Sequence, residues 1–266
     1  MRRPAVWLGV AIALTAAAAA HQGHGRRYWY PSFVALAGGQ SHQQVVARLG
    51  PSYRSVLRAD VVRAGGRYPP DRLRLIGLKQ ERVLEVWIPV AQGWTRLRSY
   101  RVLAASGEPG PKLRQGDHQV PEGLYRLTGF NPNSSYHLSV RVDYPNQDDR
   151  KAAAAEGRVD LGGDIFIHGK AVSIGCLAIG DRAIEELYLL LGDTGLRNST
   201  VLLSPNADPN APAGAPQWLR QLYERIRADL MTVRGPVPAP VETSEAQRHR
   251  GAAPSPWRSA WSRHTG

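Results

Sequence analysis

A single cysteine in 266 residues, Cys176, stands eight positions after His168 in the run from Asp164 to Ile179. A thiol and an imidazole with a glycine beside each, Gly175 and Gly169, are the parts of a sulfur nucleophile, its base and a backbone anion hole. An imidazolium partner would lower the thiol pKa from about 8.5, so this reading expects a thiolate–imidazolium pair that persists at neutral pH. Gly175 lets the backbone approach a substrate carbonyl and frees the Cys176 N–H for the oxyanion, while Gly169 relieves crowding behind the ring. Ser173 would hold His168 through its hydroxyl or its carbonyl. On spacing alone such a pair is more often a buried apolar thiol and an unrelated surface base; export and the flanking glycines bring the two readings level.

The elements that must position these groups show first as a change of period. Ser41 caps a short helix to Leu49 that Gly50-Pro51 should stop, and a second helical stretch runs from Ser52 to Ala64. From Leu73 the period is two: Leu73 to Lys79, Val83 to Ile88, Trp94 to Leu103, Gly123 to Leu127 and Tyr136 to Val142 read as strands bounded by turn residues. Repeated short strands of this kind predict a β-sandwich or barrel core within an α+β, predominantly β, fold. Asp164 to His168 is a short strand delivering the imidazole to its end. Asp181 should cap a helix with apolar positions Ala183, Ile184, Leu187, Leu190 and Leu191, stopped at Gly192. Val201 to Ser204 reads as a closing strand, and Gln217 to Met231 as a last helix.

The chain therefore divides into a leader (1–20), an N-terminal helical segment (21–70), a catalytic domain (71–204), a linker and helix (205–234), and a Pro/Ala/Arg tail expected to be disordered (235–266). Arg2 and Arg3, the apolar run from Ala5 and the alanines to position 20 form a secretory signal; the alternative is an uncleaved anchor with Tyr28, Trp29 and Tyr30 at the interface. Either way the remainder is expected outside the cytoplasm, in the periplasm or cell envelope, where an unpaired cysteine points to a reactive thiol. The formal charge of +12 comes mainly from scattered arginines, lysine occurring only at 79, 112, 151 and 170. That pattern implies solubility and loose attraction to anionic polymers, with no aromatic-interleaved cluster for nucleic acid. The histidines lack ligand spacing and no nucleotide fingerprint occurs, so no metal and no cofactor are expected.

The run Ile167-His168-Gly169 followed by Ser173, Gly175 and Cys176 resembles the signature of the L,D-transpeptidase (YkuD-type) catalytic domain, in its YafK-like branch. The segments Gly110 to Gly123, Phe130 to Leu138 and Asp143 to Asn146 carry the same resemblance, over about half the chain. The resemblance implies a sandwich-like β-rich fold and an exported enzyme of cell-wall organisation, linked to cell shape. It places His168 as base, Cys176 as nucleophile, and Ser173 and Gly175 in the loop between. The family's cysteine attacks the diaminopimelate carbonyl of a peptidoglycan stem peptide, expels D-alanine, and passes the thioester to an amine of a second stem peptide or of an envelope lipoprotein. In the YafK-like branch, detachment of lipoprotein by hydrolysis is the alternative outcome.

This chain departs from the usual family pattern in three ways. Its histidine and cysteine lie closer together, Ile174 stands where a second histidine is usual, and Ala178 where an arginine is. The substrate carboxylate must then be held otherwise, by Lys170, Lys112 or Arg114, with His137 as a further cleft residue. Asp117 and Glu122 look like a carboxylate pair, but Gly116, Pro121 and Gly123 around them favour turn chemistry. Tyr144 to Asp149 reads as a turn with surface acids. Beside the enzyme stands a second reading of another class, a non-catalytic wall-binding protein that grips the sacculus by charge.

Overall fold

The structure is a computed structural model that describes residues 26–107, 109–173 and 175–235. The leader, the tail beyond Gly235 and Ile174 lie outside the described residues. In chain order the elements are α1 (Arg26–Ala37), α2 (His42–Arg63), β1 (Leu73–Leu78), β2 (Val83–Val90), β3 (Gly93–Arg101), β4 (Gly123–Ser134), β5 (His137–Val142), α3 (Gln147–Ala155), β6 (Phe166–His168), β7 (Leu177–Ala178), α4 (Asp181–Thr194), β8 (Ser199–Ser204) and α5 (Gln217–Arg234).

The strands form one mixed sheet in the order β3-β2-β1-β8-β4-β5-β6-β7. β8, read as a closing strand, lies mid-sheet, parallel to β1 and antiparallel to β4. Successive strand residues face opposite sides, and this sheet buries both. Leu73, Leu75, Val201 and Leu203 face the core shared with α2 and α4, while Ile76, Leu78 and Leu202 face Leu219, Tyr223, Ile226 and Leu230 of α5. β4 extends past Leu127 to Ser134 with two irregularities of register against β5. Its first half pairs β8 and its second half pairs β5, so it carries the chain into the part of the sheet that holds the site.

Three expectations about helices are corrected. α2 runs through Pro51 as one helix, its Ser41 cap completed by Gln44. An interior proline costs about 3 kcal/mol, but burial of Val45, Leu49, Leu57 and Val61 along one stripe outweighs it. Gly192 does not stop α4, which ends before Gly195 at φ 93°. A Cβ at 192 would lie 2.8 Å from Val46 Cγ2, so Gly192 is where α2 and α4 pack closely. The predicted turn at 144–149 instead opens α3, capped by Asn146 with Asp149 reciprocating.

Candidate active site

β6 pairs β5 antiparallel and β7 parallel, with His168 opposite Ser139 and Ala178. Cys176 stands one residue ahead of β7, so the parallel register sets it level with Phe166, two positions before His168 and on the same face of the adjacent strand. Cys176 and His168 both line a cleft of about 430 Å³ together with Lys112, Gln115, His118, Asn131, Tyr136 and Asp164.

His168 is 2% exposed and its Nδ1–H donates to the Gly169 carbonyl at 2.6 Å. That bond selects the Nδ1–H tautomer and leaves Nε2 as the ring's free base atom. The Tyr136 ring packs against the imidazole with centroids 4.7 Å apart. Burial lowers the His168 pKa, with the Gly169 bond opposing it, so the ring is neutral at pH 7.

Burial likewise pushes the Cys176 thiol up to about 11; the Phe166 N–H and the Lys112 charge pull it down, and Asp164 pushes it up. The thiol donates to the Asp164 carbonyl at 3.7 Å. The expected standing thiolate–imidazolium pair is therefore corrected. Two neutral groups share a desolvated cleft.

Ser173 does not hold His168. Its hydroxyl accepts from the Cys176 N–H at 2.9 Å and donates to the Cys176 carbonyl at 2.6 Å, clamping the cysteine's own backbone. The Cys176 N–H, expected to await an oxyanion, is thus engaged in the free protein and reaches one only by sharing or exchanging that bond. Gly175 has φ 115°, and a Cβ there would lie 3.3 Å from the Gln119 carbonyl. At Gly169 a Cβ would meet Asp181 Oδ1 at 2.7 Å and the Tyr136 carbonyl at 2.8 Å. The second glycine therefore serves close backbone packing behind the imidazole.

Of the proposed carboxylate-holding residues, only Lys112 lines the cleft. Its ammonium is held by Asp117 Oδ1 at 2.6 Å and the Arg114 carbonyl at 2.8 Å. Lys170, at φ 59°, gives both its N–H and its ammonium to Asp181. His137 Nε2 meets Glu185 at 2.7 Å. Neither these two nor Arg114 is among the cleft-lining residues. Asp117 accepts from the Leu113, Arg114 and Gln119 N–H groups, and Glu122 is buried between Lys79 and Tyr223. Both carboxylates are structural, as their neighbouring turn residues suggested.

Sequence reasoning singled out none of Tyr136, His118, Asn131 or Gln115. Tyr136 had a findable signal: it sits in a Ser134-Ser135-Tyr136-His137 hairpin turn opposite the strand that ends in His168.

Residues 75–201 match the family model of the L,D-transpeptidase catalytic domain, YkuD. Over 112 residues the chain is 37% identical to YafK of Escherichia coli strain K12, a candidate L,D-transpeptidase by its name. That match covers 41% of this chain and 43% of YafK, so the chain spans less than half of the relative's length. Among solved structures, the helical cell shape determining protein Pgp2 of Campylobacter jejuni is 21% identical with a TM-score of 0.45, covering 65% of this chain and 59% of that chain. L,D-transpeptidase 1 of Mycobacterium tuberculosis is 14% identical with a TM-score of 0.28, covering 50% of this chain and 61% of that chain.

Proposed function

Because residues 75–201 belong to the L,D-transpeptidase (YkuD-type) catalytic-domain family, we propose that the protein is an exported cysteine acyltransferase acting on peptidoglycan stem peptides. The observation that carries this reading is the shared cleft of His168 and Cys176, with the imidazole fixed by Gly169 so that Nε2 remains its base atom.

The reaction begins with Sγ–H giving its proton to His168 Nε2 as sulfur attacks the diaminopimelate carbonyl carbon. Charge develops on the carbonyl oxygen, where loop N–H groups, Cys176's among them once released from Ser173, stabilise it. The carbon–nitrogen bond to D-alanine then breaks, and the imidazolium returns its proton to the leaving amine. The remaining thioester is attacked by an acceptor amine, whose proton passes to His168 and on to the departing sulfur. Acceptors of the right chemistry are a second stem peptide and a lysine of an envelope lipoprotein.

One observation favours a second reading, in which water takes the acceptor's place. Gln115, His118, Asn131 and Ser135 line the cleft beside Tyr136, Ile165 and Phe166, and polar side chains of this kind offer a water hydrogen-bond partners beside the thioester. Mass spectrometry of muropeptides incubated with the protein separates the two. Joined products with loss of D-alanine establish transfer, and trimmed or lipoprotein-released products establish hydrolysis. If products are identical with Cys176→Ala, both readings fail and the wall-binding alternative takes over, with sacculus binding that weakens steeply in salt.

A further inference from the structure

β6 ends at His168, and backbone bonds hold the chain one step further. The Gly169 N–H donates to the Leu138 carbonyl at 3.2 Å, and the Ile179 N–H to the His168 carbonyl at 2.9 Å. The next peptide unit, joining Gly169 to Lys170, lies past that ladder. Lys170 continues from it at φ 59°, a left-handed conformation that a residue with a Cβ adopts at a steric cost. Yet this is the peptide that fixes the imidazole, since its carbonyl accepts the His168 Nδ1–H at 2.6 Å. Its other end is the Lys170 N–H, which donates to Asp181 Oδ1 at 2.8 Å.

Asp181, expected to cap α4, is its first residue; Gly180 takes the cap position and makes no side-chain cap bond. The carboxylate serves the peptide behind His168 instead, and its Oδ2 takes the Lys170 ammonium at 2.8 Å. Burial would raise the Asp181 pKa, but the Lys170 ammonium and N–H, with the His137 charge, hold it below the usual carboxylate value. The group is therefore an anion at pH 7. One turn along α4, Glu185 accepts from the Tyr53 hydroxyl at 2.6 Å and meets His137 Nε2 at 2.7 Å. The imidazole itself faces the Tyr136 ring and shares its cleft with Cys176, Lys112, His118 and Asp164. An anion accepting from one end of a peptide makes a charge-assisted bond and polarises the carbonyl at the other end into a better acceptor. A carboxylate thus acts on its histidine through an interposed peptide, in the orienting role that the acid of a catalytic triad fills by direct contact.

We propose that Asp181 is a positioning residue of the site: it holds the Gly169–Lys170 peptide so that the proton stays on His168 Nδ1 and Nε2 stays bare toward the thiol. Asp181 is not among the cleft-lining residues, so its loss should lower turnover rather than substrate binding. The catalytic consequence rests on the acyl-transfer reading, whereas the state of the ring does not.

The test compares the full chain with Asp181→Ala and with Asp181→Asn, which keeps an oxygen for the Lys170 N–H and loses the charge. Long-range proton–nitrogen NMR spectra of isotope-labelled histidine, with the His168 signals identified through His168→Gln, report which ring nitrogen carries the proton. The parent chain and Asp181→Asn should both show Nδ1 protonated and Nε2 bare. In Asp181→Ala the two nitrogen shifts should converge as both tautomers populate. D-alanine release from a stem tetrapeptide should lose about tenfold or more in kcat in Asp181→Ala, about threefold or less in Asp181→Asn, with KM nearly unchanged. Asp181→Asn also removes the anion that favours the imidazolium, so its His168 should titrate at lower pH than in the parent. The parent tautomer and kcat in Asp181→Ala overturn the proposal. So does an unshifted His168 titration in Asp181→Asn, which decides the matter should Asp181→Ala not fold. The expected spectra in a parent chain that releases no D-alanine would support the positioning and remove the acyl-transfer reading.

Discussion

Raising pH on the free protein should activate Cys176 far later than an ordinary cysteine. With the thiol pushed up to about 11 by burial, about one molecule in 10⁴ carries thiolate at pH 7, against about three in a hundred for an unperturbed thiol. A more basic thiolate is intrinsically more nucleophilic, by about tenfold over this pKa difference. Alkylation by iodoacetamide at pH 7 should therefore run about 30-fold slower than for free cysteine. Intact mass reads it cleanly, since the chain has one thiol. Between pH 7 and pH 10 the rate should climb about tenfold per pH unit without a plateau, and Asp164→Asn, which removes a charge that pushes the thiol up, should move the inflection down. A plateau reached below pH 8 would refute the argument and restore a standing ion pair. Turnover follows the base instead: because burial holds His168 below 6.5, kcat/KM should fall on the acid side only below that pH.

Three further outcomes follow from the geometry. Gly169→Ala should lower stability by about 1–3 kcal/mol through overpacking against the Tyr136 carbonyl and Asp181, with a larger loss in kcat than in KM; unchanged thermal unfolding would contradict the contact. Ser173→Ala frees the Cys176 N–H for the oxyanion but removes both hydrogen bonds that fix the Cys176 backbone, and should reduce acylation about tenfold by misplacing the thiol while circular dichroism is unchanged; full activity would show the clamp dispensable. Asp193 takes two hydrogen bonds from Arg54 and one from Tyr68. Burial alone would raise its pKa, but these partners hold it below 3.8. Its contribution is thus intact above pH 3.8 and lost as pH falls through the lower folded value. Asp193→Ala should lower urea-unfolding stability by about 2 kcal/mol at pH 7, and by less near pH 3.

The strands were legible because alternation at Leu73 to Leu78 and Val83 to Val90 directly encodes two packed faces. That His168 and Cys176 line one cleft was legible because a strand end and a tight glycine loop eight residues apart can bring both side chains to one rim. What failed in sequence was local punctuation overridden by packing. Pro51 reads as a stop but is absorbed by a long buried stripe, and Gly192 reads as a terminator but marks a helix crossing. The Asn146 to Asp149 capping box was present in the sequence and was read as a turn because acids and a proline surround it. The partners of Lys170, His137 and Lys112 were not legible. Asp181, Glu185 and Asp117 meet them only through the fold, and without that knowledge a basic side chain near the motif looks available for substrate. The thiol's ionisation was misjudged for a related reason, since proximity to an imidazole is visible in sequence and desolvation is not.

The central claim is that Cys176 forms a thioester with His168 Nε2 as its base. Intact-mass analysis after rapid mixing with a stem tetrapeptide tests it directly. The account predicts an acyl adduct on Cys176 with D-alanine released, absent in Cys176→Ala and strongly slowed in His168→Gln. D-alanine release at the wild-type rate in either variant would contradict it.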